Sequence, residues 1–256
     1  MPDDTPRREE PQPPPVTAIV QARAGSSRLP GKIGAPIGDR SLLAWVVTRL
    51  REARRVGRIV VATTVEPADD ATVAEATALG VDHYRGPVED VLARFAGALA
   101  AFPDATFCRI TADNPLLDPG ALDLLIEAHI AGRGDHTGVA GTVPLGATAE
   151  VVSASALMTA HRESVDPPCR EHVTPYLYTH PERFRLIRIA PPPPLVGRSD
   201  RLTIDTEEDL RFMRTLYDRL VAQGEPFAIG PVVRLLAAEP SLAAINAGVR
   251  QKGWRE

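Results

Sequence analysis

Near the start of the chain, a short apolar run is followed by Gln21-Ala22-Arg23-Ala24-Gly25-Ser26-Ser27-Arg28-Leu29-Pro30-Gly31-Lys32. Such a loop offers backbone N–H groups, two hydroxyls and three cations, a set that can surround a polyphosphate, Arg through its planar fork and Lys as a point charge. Gly25 permits close approach of backbone to a ligand. The loop is not a Walker A motif: Gly25 and Gly31 are one residue too far apart, and Ile33 rather than Ser or Thr follows Lys32. It also lacks the spaced glycines of a dinucleotide-binding turn. Gln21, Ala22, Arg23, Gly25, Ser26, Ser27, Arg28 and Lys32 are therefore the expected nucleotide contacts. Arg23, Arg28 and Lys32 are expected to stabilise charge during the reaction.

Two carboxylates stand just past strand-like runs: Asp113 in RITADNPLLD and Asp205 in RLTIDTEED. In a parallel sheet both would open onto the same edge as the first loop. Two aspartates plus a triphosphate suit Mg²⁺, which takes one or two protein carboxylates and completes its shell with phosphate oxygens and water. Asp113 also reads as a nucleotide contact, while its plainer reading is a turn before Pro115. Helix-start chemistry is the plainer reading of Asp205, but Thr206 already supplies that cap. Thr63 and Arg85 follow the next two strands and can face a base or ribose; Asp69, Asp70, Glu89 and Asp90 beside them read mainly as helix caps. Cys169 and His172 are three residues apart, yet no third group orients a thiolate nucleophile there. Arg170, Glu171 and His172 read instead as lining an acceptor pocket.

These residues need a scaffold that brings distant segments to one edge. Residues 16–22 form a short apolar run rich in β-branched residues, as in a strand buried on both faces. Ser41 can cap a helix with Leu43, Val46, Val47 and Leu50 on one face, and RIVVAT at 58–63 is a second strand. Asp69 or Asp70 can cap a helix ended by Gly80; a strand at 81–84 and a helix from EDVLARFAGALAAF follow. TFCRIT at 106–111 is another buried strand, and Asp118-Pro119 opens a helix. Four such βα units imply a parallel sheet covered on both faces. From residue 137 the pattern breaks into short strands (TGVAGTV, TAEVV), a Ser153-capped helix and CREHVTPYLYTH. Residues 137–195 therefore read as an inserted β and helical excursion, a lid or a dimer contact. Pro191 to Pro194 read as an extended connector. RLTID at 201–205 reads as a returning strand, and Thr206 with Asp209 as a capping box. Two short helices and a polar end complete the chain. Residues 1–15, rich in Pro and charge, read as a disordered tail, which leaves 16–256 as one domain.

Composition narrows the possibilities. The 256 residues carry 29 Lys and Arg against 33 Asp and Glu, a net charge of −4, so bulk charge attracts neither nucleic acid nor anionic lipid and any anion site must be local. No apolar run is long enough for a membrane span. Only two cysteines occur, too few for a disulfide scaffold or a four-ligand zinc site, and the N-terminus has no apolar export segment. A cytoplasmic address is expected.

QARAGSSRLPGK, RGPVEDVLARF, RITADNPLLDP, REHVTPY, RLTIDTEEDL and NAGVRQKG together resemble the spore coat polysaccharide biosynthesis protein F family of cytidylyltransferases. These blocks span about residues 16 to 252. The broader relatives are the acylneuraminate and 3-deoxy-octulosonate cytidylyltransferases. The resemblance implies a Rossmann-like nucleotidyltransferase fold, CTP and Mg²⁺ as ligands, and a homodimer. Carried over residue by residue, it puts Arg23, Gly25, Ser26, Arg28 and Lys32 on the nucleotide and Asp113 and Asp205 on the metal. Where such proteins often carry G-x-D-x-E, this chain has Gly146-Ala147-Thr148-Ala149-Glu150; Thr148 replaces an acid, and Glu150 joins the expected acceptor contacts. Asn114 also stands where a small residue or Cys is usual. The expected activity is transfer of CMP from CTP to a sugar acid, phosphate or phosphonate, with release of pyrophosphate. A nucleotide-sugar glycosyltransferase is the enzyme alternative, but Asp113-Asn114-Pro115 lacks its D-x-D pair. The other is a nucleotide-binding protein without turnover.

Overall fold

The computed structural model describes residues 16–26 and 28–255; the expected tail at 1–15 and Ser27 of the first loop lie outside them. In chain order the elements are β1 (Val16–Gln21), a hairpin of β2 (Pro36–Ile37) and β3 (Arg40–Ser41), α1 (Leu42–Glu52), β4 (Val56–Thr64), α2 (Asp70–Ala78), β5 (Asp82–Gly86), α3 (Val91–Ala101), β6 (Thr106–Thr111) and α4 (Pro119–Gly132). Then come β7 (His136–Val139), β8 (Glu150–Ser153), α5 (Ala154–Glu163), α6 (Pro167–His172), α7 (Pro175–Tyr178), β9 (Leu186–Ile189), α8 (Glu207–Ala222) and α9 (Ile229–Ala238).

Seven strands form one sheet in the order β5-β4-β1-β6-β8-β7-β9, and only β8 runs against the others. The run of β1, rich in β-branched residues, lies between β4 and β6, buried from both faces. On one face Leu43, Val46, Val47 and Leu50 of α1 and Leu122, Leu125 and Ile126 of α4 meet Val20, Val61 and Ile110. The other face packs α3, α5 and α7 through Phe95, Leu157 and Leu177 onto Ile19, Phe107 and Val152. Each such fully buried side chain contributes about 1.5–3 kcal/mol. A further core joins α8 and α9 to the β2–β3 hairpin through Trp45, Phe212 and Phe227. The expected α/β fold, a mostly parallel sheet flanked by helices, is therefore present. Ser41, Asp90, Asp118 and Ser153 cap their helices, and Thr206 with Asp209 forms the capping box of α8.

Four local readings are corrected. Residues 137–195 are not detached from the sheet: β7, β8 and β9 complete it, and β9 escaped notice because its half-exposed residues carry no buried-strand pattern. Residues 201–205 are extended but form no strand; only Arg201 bridges, to Leu145. Their partners are loops, with Leu202 N–H donating to Leu145 O at 2.8 Å and Ile204 N–H to Asp113 O at 3.0 Å. The run of prolines bends instead of extending: Leu195 N–H donates to Pro192 O at 2.9 Å across a cis Pro193–Pro194 bond. Asp69 makes no side-chain cap on α2. It is 2% exposed and takes hydrogen bonds from Ala24 N (2.6 Å) and from the N–H and hydroxyl of Thr64, so it pins the first loop to the end of β4.

Candidate active site

The loop after β1 closes in a single 3-10 turn over Lys32–Gly34, entered through Gly31 at φ +71°, a conformation that favours glycine. That turn carries the Lys32 side chain inward to 8% exposure. Its ammonium donates to Asp113 Oδ2 at 3.0 Å, Asp205 Oδ1 at 3.0 Å and Ile204 O at 2.6 Å. The hydrogen bond from Ile204 N–H to Asp113 O ties the two acidic segments together, so carboxylates 92 residues apart in sequence converge on one point. Arg28 Nη2 lies 3.1 Å and Arg201 Nη2 2.9 Å from Asp205 Oδ2. Burial disfavours the Asp205 carboxylate, but the Lys32 ammonium and the Arg28 and Arg201 guanidiniums prevail and hold its pKa below the ordinary range.

This cluster forms one wall of a cleft of about 640 Å³, which Gln21, Arg23, Ser26, Arg28, Asp113 and Asp205 help line. The loop braces itself with its own backbone: Ser26 N–H and Gly31 N–H donate to Ala24 O, Lys32 N–H to Leu29 O, and Ala22 N–H to Ala62 O. With Ala24 N–H on Asp69 and Leu29 N–H on Ser26 Oγ, most of the expected backbone donors are already engaged, and the loop presents side chains instead. Ala22 is accordingly buried and does not line the cleft. Gly25 is exposed, and a Cβ there would meet nothing within 4 Å. Two further expected contacts lie elsewhere. Thr63 is fully buried with its hydroxyl unpaired among the described residues. Arg85 is committed to Thr64 O, Asp70 and Glu66 O, because its position on edge strand β5 faces the turn into α2.

A second cavity of about 310 Å³ adjoins the first, and Arg109, Thr111, Asn114, Thr148 and His172 line both. Its floor is Glu150, which accepts from Arg109 Nη1 at 2.9 Å and from the Thr174 hydroxyl at 2.9 Å, with His136 Nε2 2.8 Å away. Burial opposes ionisation of Glu150, yet these partners lower its pKa to about 2. Glu150 thus fixes Arg109 and Thr174. His172 and Thr174 are aimed by a left-handed γ-turn: Val173 sits at φ 72°, ψ −57°, and Thr174 N–H donates to His172 O at 2.9 Å. A β-branched residue held there is strained backbone of the kind that clusters at functional sites. Burial lowers the pKa of His172, which keeps its ring neutral at neutral pH. Glu171 faces the larger cleft.

Arg170, expected beside them, lines neither cavity. Its guanidinium points the other way, to Asp90 Oδ2 (2.8 Å from Nε) and to Ser164 O (2.8 Å from Nη1), where it braces α6 against the start of α3. Cys169 and His172 form no dyad: the thiol donates to Asp166 at 3.3 Å, and burial and Asp166 raise its pKa.

Several residues of the site went unread in the sequence. Arg109 was hidden inside a strand motif, although the two-residue period of β6 places it on one face with Phe107 and Thr111. Arg201, in sequence a residue of an extended run and nothing more, holds both Asp205 and Asp209. Arg94 is fully buried, none of its guanidinium nitrogens has a partner among the described residues, and burial and the nearby Arg23 charge lower its pKa to about 10. Its place in VLARF carries no signal beyond helix.

A cationic loop and two converging aspartates at one edge of a mostly parallel α/β sheet, beside an adjoining cavity, have the make-up of a nucleotidyltransferase-type site. The cytidylyltransferase family model matches residues 17–229, and the chain belongs to that family of CTP-dependent nucleotidyltransferases. It is 34% identical over 233 residues to the spore coat polysaccharide biosynthesis protein SpsF of Bacillus subtilis, covering 89% of this chain and 96% of that one. Identity to the uncharacterized protein MJ1063 of Methanocaldococcus jannaschii is also 34%, over 94% of this chain and 98% of that one. Among solved structures, a cytidylyltransferase from Leptospira borgpetersenii superposes with a TM-score of 0.82 at 29% identity, covering 93% of this chain and all of that one. No helix among the described residues is long and apolar enough to cross a membrane.

Proposed function

We propose that the protein transfers CMP from CTP, bound in the larger cleft, to a small acceptor seated in the adjoining cavity, in the making of an activated sugar or related precursor. The observation that carries this reading is the convergence of Lys32, Asp113 and Asp205 beside Arg28 at the mouth of a cleft continuous with a second polar cavity. An acceptor oxygen attacks the α-phosphorus in line and pyrophosphate leaves, so the protein supplies position and positive charge. Arg23, Arg28 and Lys32 neutralise the phosphates, and Arg109, on the shared wall, meets charge at the reacting centre. A neutral His172 can take the proton of an acceptor hydroxyl, whereas a phosphate or phosphonate acceptor needs no base.

The donor set fits a divalent ion. Among the described residues no group of three or more His, Cys, Asp and Glu is arranged to hold a metal, but two converging carboxylates are what Mg²⁺ asks of a protein that also binds a triphosphate. Asp113 and Asp205 would hold it, and when bound it would draw charge from the phosphate oxygens. Thr148, at the wall shared by the two cavities, supports an acceptor different from those of relatives with an acid there.

The test is pyrophosphate release from CTP and Mg²⁺ over a panel of sugar acids, sugar phosphates and phosphonates. Asp113→Asn and Asp205→Asn are expected to lower the rate by about a thousandfold, since charge stabilisation of this kind is worth several kcal/mol, while the melting temperature stays within a few degrees. Near-wild-type turnover in either variant rejects the metal assignment, and UTP or ATP as preferred donor rejects the CTP reading.

A further inference from the structure

We infer that the C-terminal segment 248–254 is a working wall of the active site, with Lys252 contributing a cation to the triphosphate and Trp254 closing the acceptor cavity. The inference rests on the nucleotidyl-transfer reading above. After α9 and a 3-10 turn over Pro240–Ile245, the chain turns back across the mouth of the site. Gln251, Lys252 and Gly253 line the 640 Å³ cleft together with residues of the first loop, and Trp254 lines the 310 Å³ cavity. One short segment thus touches both halves of the site.

Two anchors hold it there. Asn246 is 4% exposed and donates to Asp209 Oδ1 at 3.0 Å and to Arg201 O at 3.2 Å. Gln251 Oε1 accepts from Arg201 Nη1 at 2.5 Å, and the same guanidinium binds Asp205. The candidate metal-binding carboxylate and the tail are therefore joined through one side chain. Between the anchors Val249 N–H donates back to Asn246 O at 3.0 Å. A cavity of about 510 Å³ separates residues 248–252 from Arg28 and the start of α8, and Lys252 stands on the edge shared with the main cleft. Beyond the second anchor the Trp254 ring meets Tyr178 edge-on, centroids 6.0 Å apart, and the Arg255 guanidinium stacks on its outer face at 4.2 Å. Burial keeps the Tyr178 phenol protonated, with its pKa raised to about 12, so the two rings make an uncharged aromatic corner in the cavity. Such a corner suits the C–H face of a sugar ring, and the exposed ammonium of Lys252 suits the phosphates.

The test uses the full chain with CTP and Mg²⁺ as the probe, CTP affinity being measured by calorimetry and tryptophan emission recorded alongside. Lys252→Ala is expected to weaken CTP about tenfold, the loss of one charge-assisted contact, and Lys252→Arg to recover most of it. Saturating CTP is expected to change the emission and reduce acrylamide quenching in the wild type, and Trp254→Phe to abolish that response. If the wild type binds CTP but Lys252→Ala binds equally well and the Trp254 signal does not move, the tail is not part of the site and the nucleotidyl-transfer reading stands. If the wild type binds no CTP, that reading falls and takes this one with it.

Discussion

His129 shows how a single buried titratable group couples this fold to pH. It is 2% exposed on α4, its Nδ1 lies 2.9 Å from the Thr137 hydroxyl, and burial followed by the nearby His136 lowers its pKa to about 4. An unfolded histidine titrates near 6.5, so the folded state binds fewer protons between these values. The stability it confers is complete above about pH 6.5 and drains away as pH falls toward about 4, at up to about 1.4 kcal/mol per pH unit. The half-buried His172 acts in the same direction. Glu150, with its pKa lowered from 4.5 to about 2, loses its share only in the lower window between those values. Denaturation midpoints should therefore fall already between pH 6.5 and 4.5, before the carboxylates titrate. In His129→Gln, which keeps a partner for Thr137, the slope in that window should flatten; an unchanged slope would assign it to other groups.

At the scale of elements, α6 is a short helix that one ion pair ties to the start of α3, and it carries His172 toward the site. Arg170 ties it to Asp90, the residue whose side chain also caps α3 by accepting from Ala93 N–H at 2.9 Å. Arg170→Met removes a charge-assisted contact worth about 1.5–3 kcal/mol. Amide exchange in 167–174 should rise more than in α3, which retains its cap; equal protection in the variant would show that the γ-turn at Val173 alone holds His172. This arrangement marks the boundary of what the residues announce by themselves. Strands buried on both faces, helices with Ser, Thr or Asp caps, the cationic loop and the two aspartates were legible, because each depends on local chemistry or on the shared edge of a parallel sheet. Edge strand β9, the loop pairing of 201–205 and the outward turn of Arg170 were not, because their form is set by partners far away in the chain. Arg85 and Asp69 show the same limit: the motif located them correctly at a strand end, but only the packed neighbours decide whether such a side chain faces a ligand or ties down a turn.

Across the whole molecule, the site is assembled from segments spread from the first strand to the last residues described, with Lys32, Arg109, Asp205 and Lys252 drawn together by a sheet and a returning tail. None of these segments can form the site alone, so the ligand should stabilise the fold as a unit. Gly146 illustrates how close the joins are. At φ +93° it allows the 144–147 loop to pass so near residues 202 and 114 that a Cβ would lie 2.6 Å from Leu202 O and 2.9 Å from Asn114 Oδ1. A ligand present at about 100 times its dissociation constant adds roughly 2.7 kcal/mol to unfolding, and at about 2–4 °C per kcal/mol for a domain of this size that is a rise of roughly 5–10 °C in melting temperature. CTP with Mg²⁺ should produce this rise, while CTP with EDTA, and UTP, ATP or GTP with Mg²⁺, should produce much less. A shift that is equal for all four nucleotides would mean that the cleft reads only the triphosphate and not the base. A shift for CTP that is indifferent to EDTA would mean that Lys32, seated between Asp113 and Asp205, supplies on its own the charge for which those aspartates would otherwise need a metal.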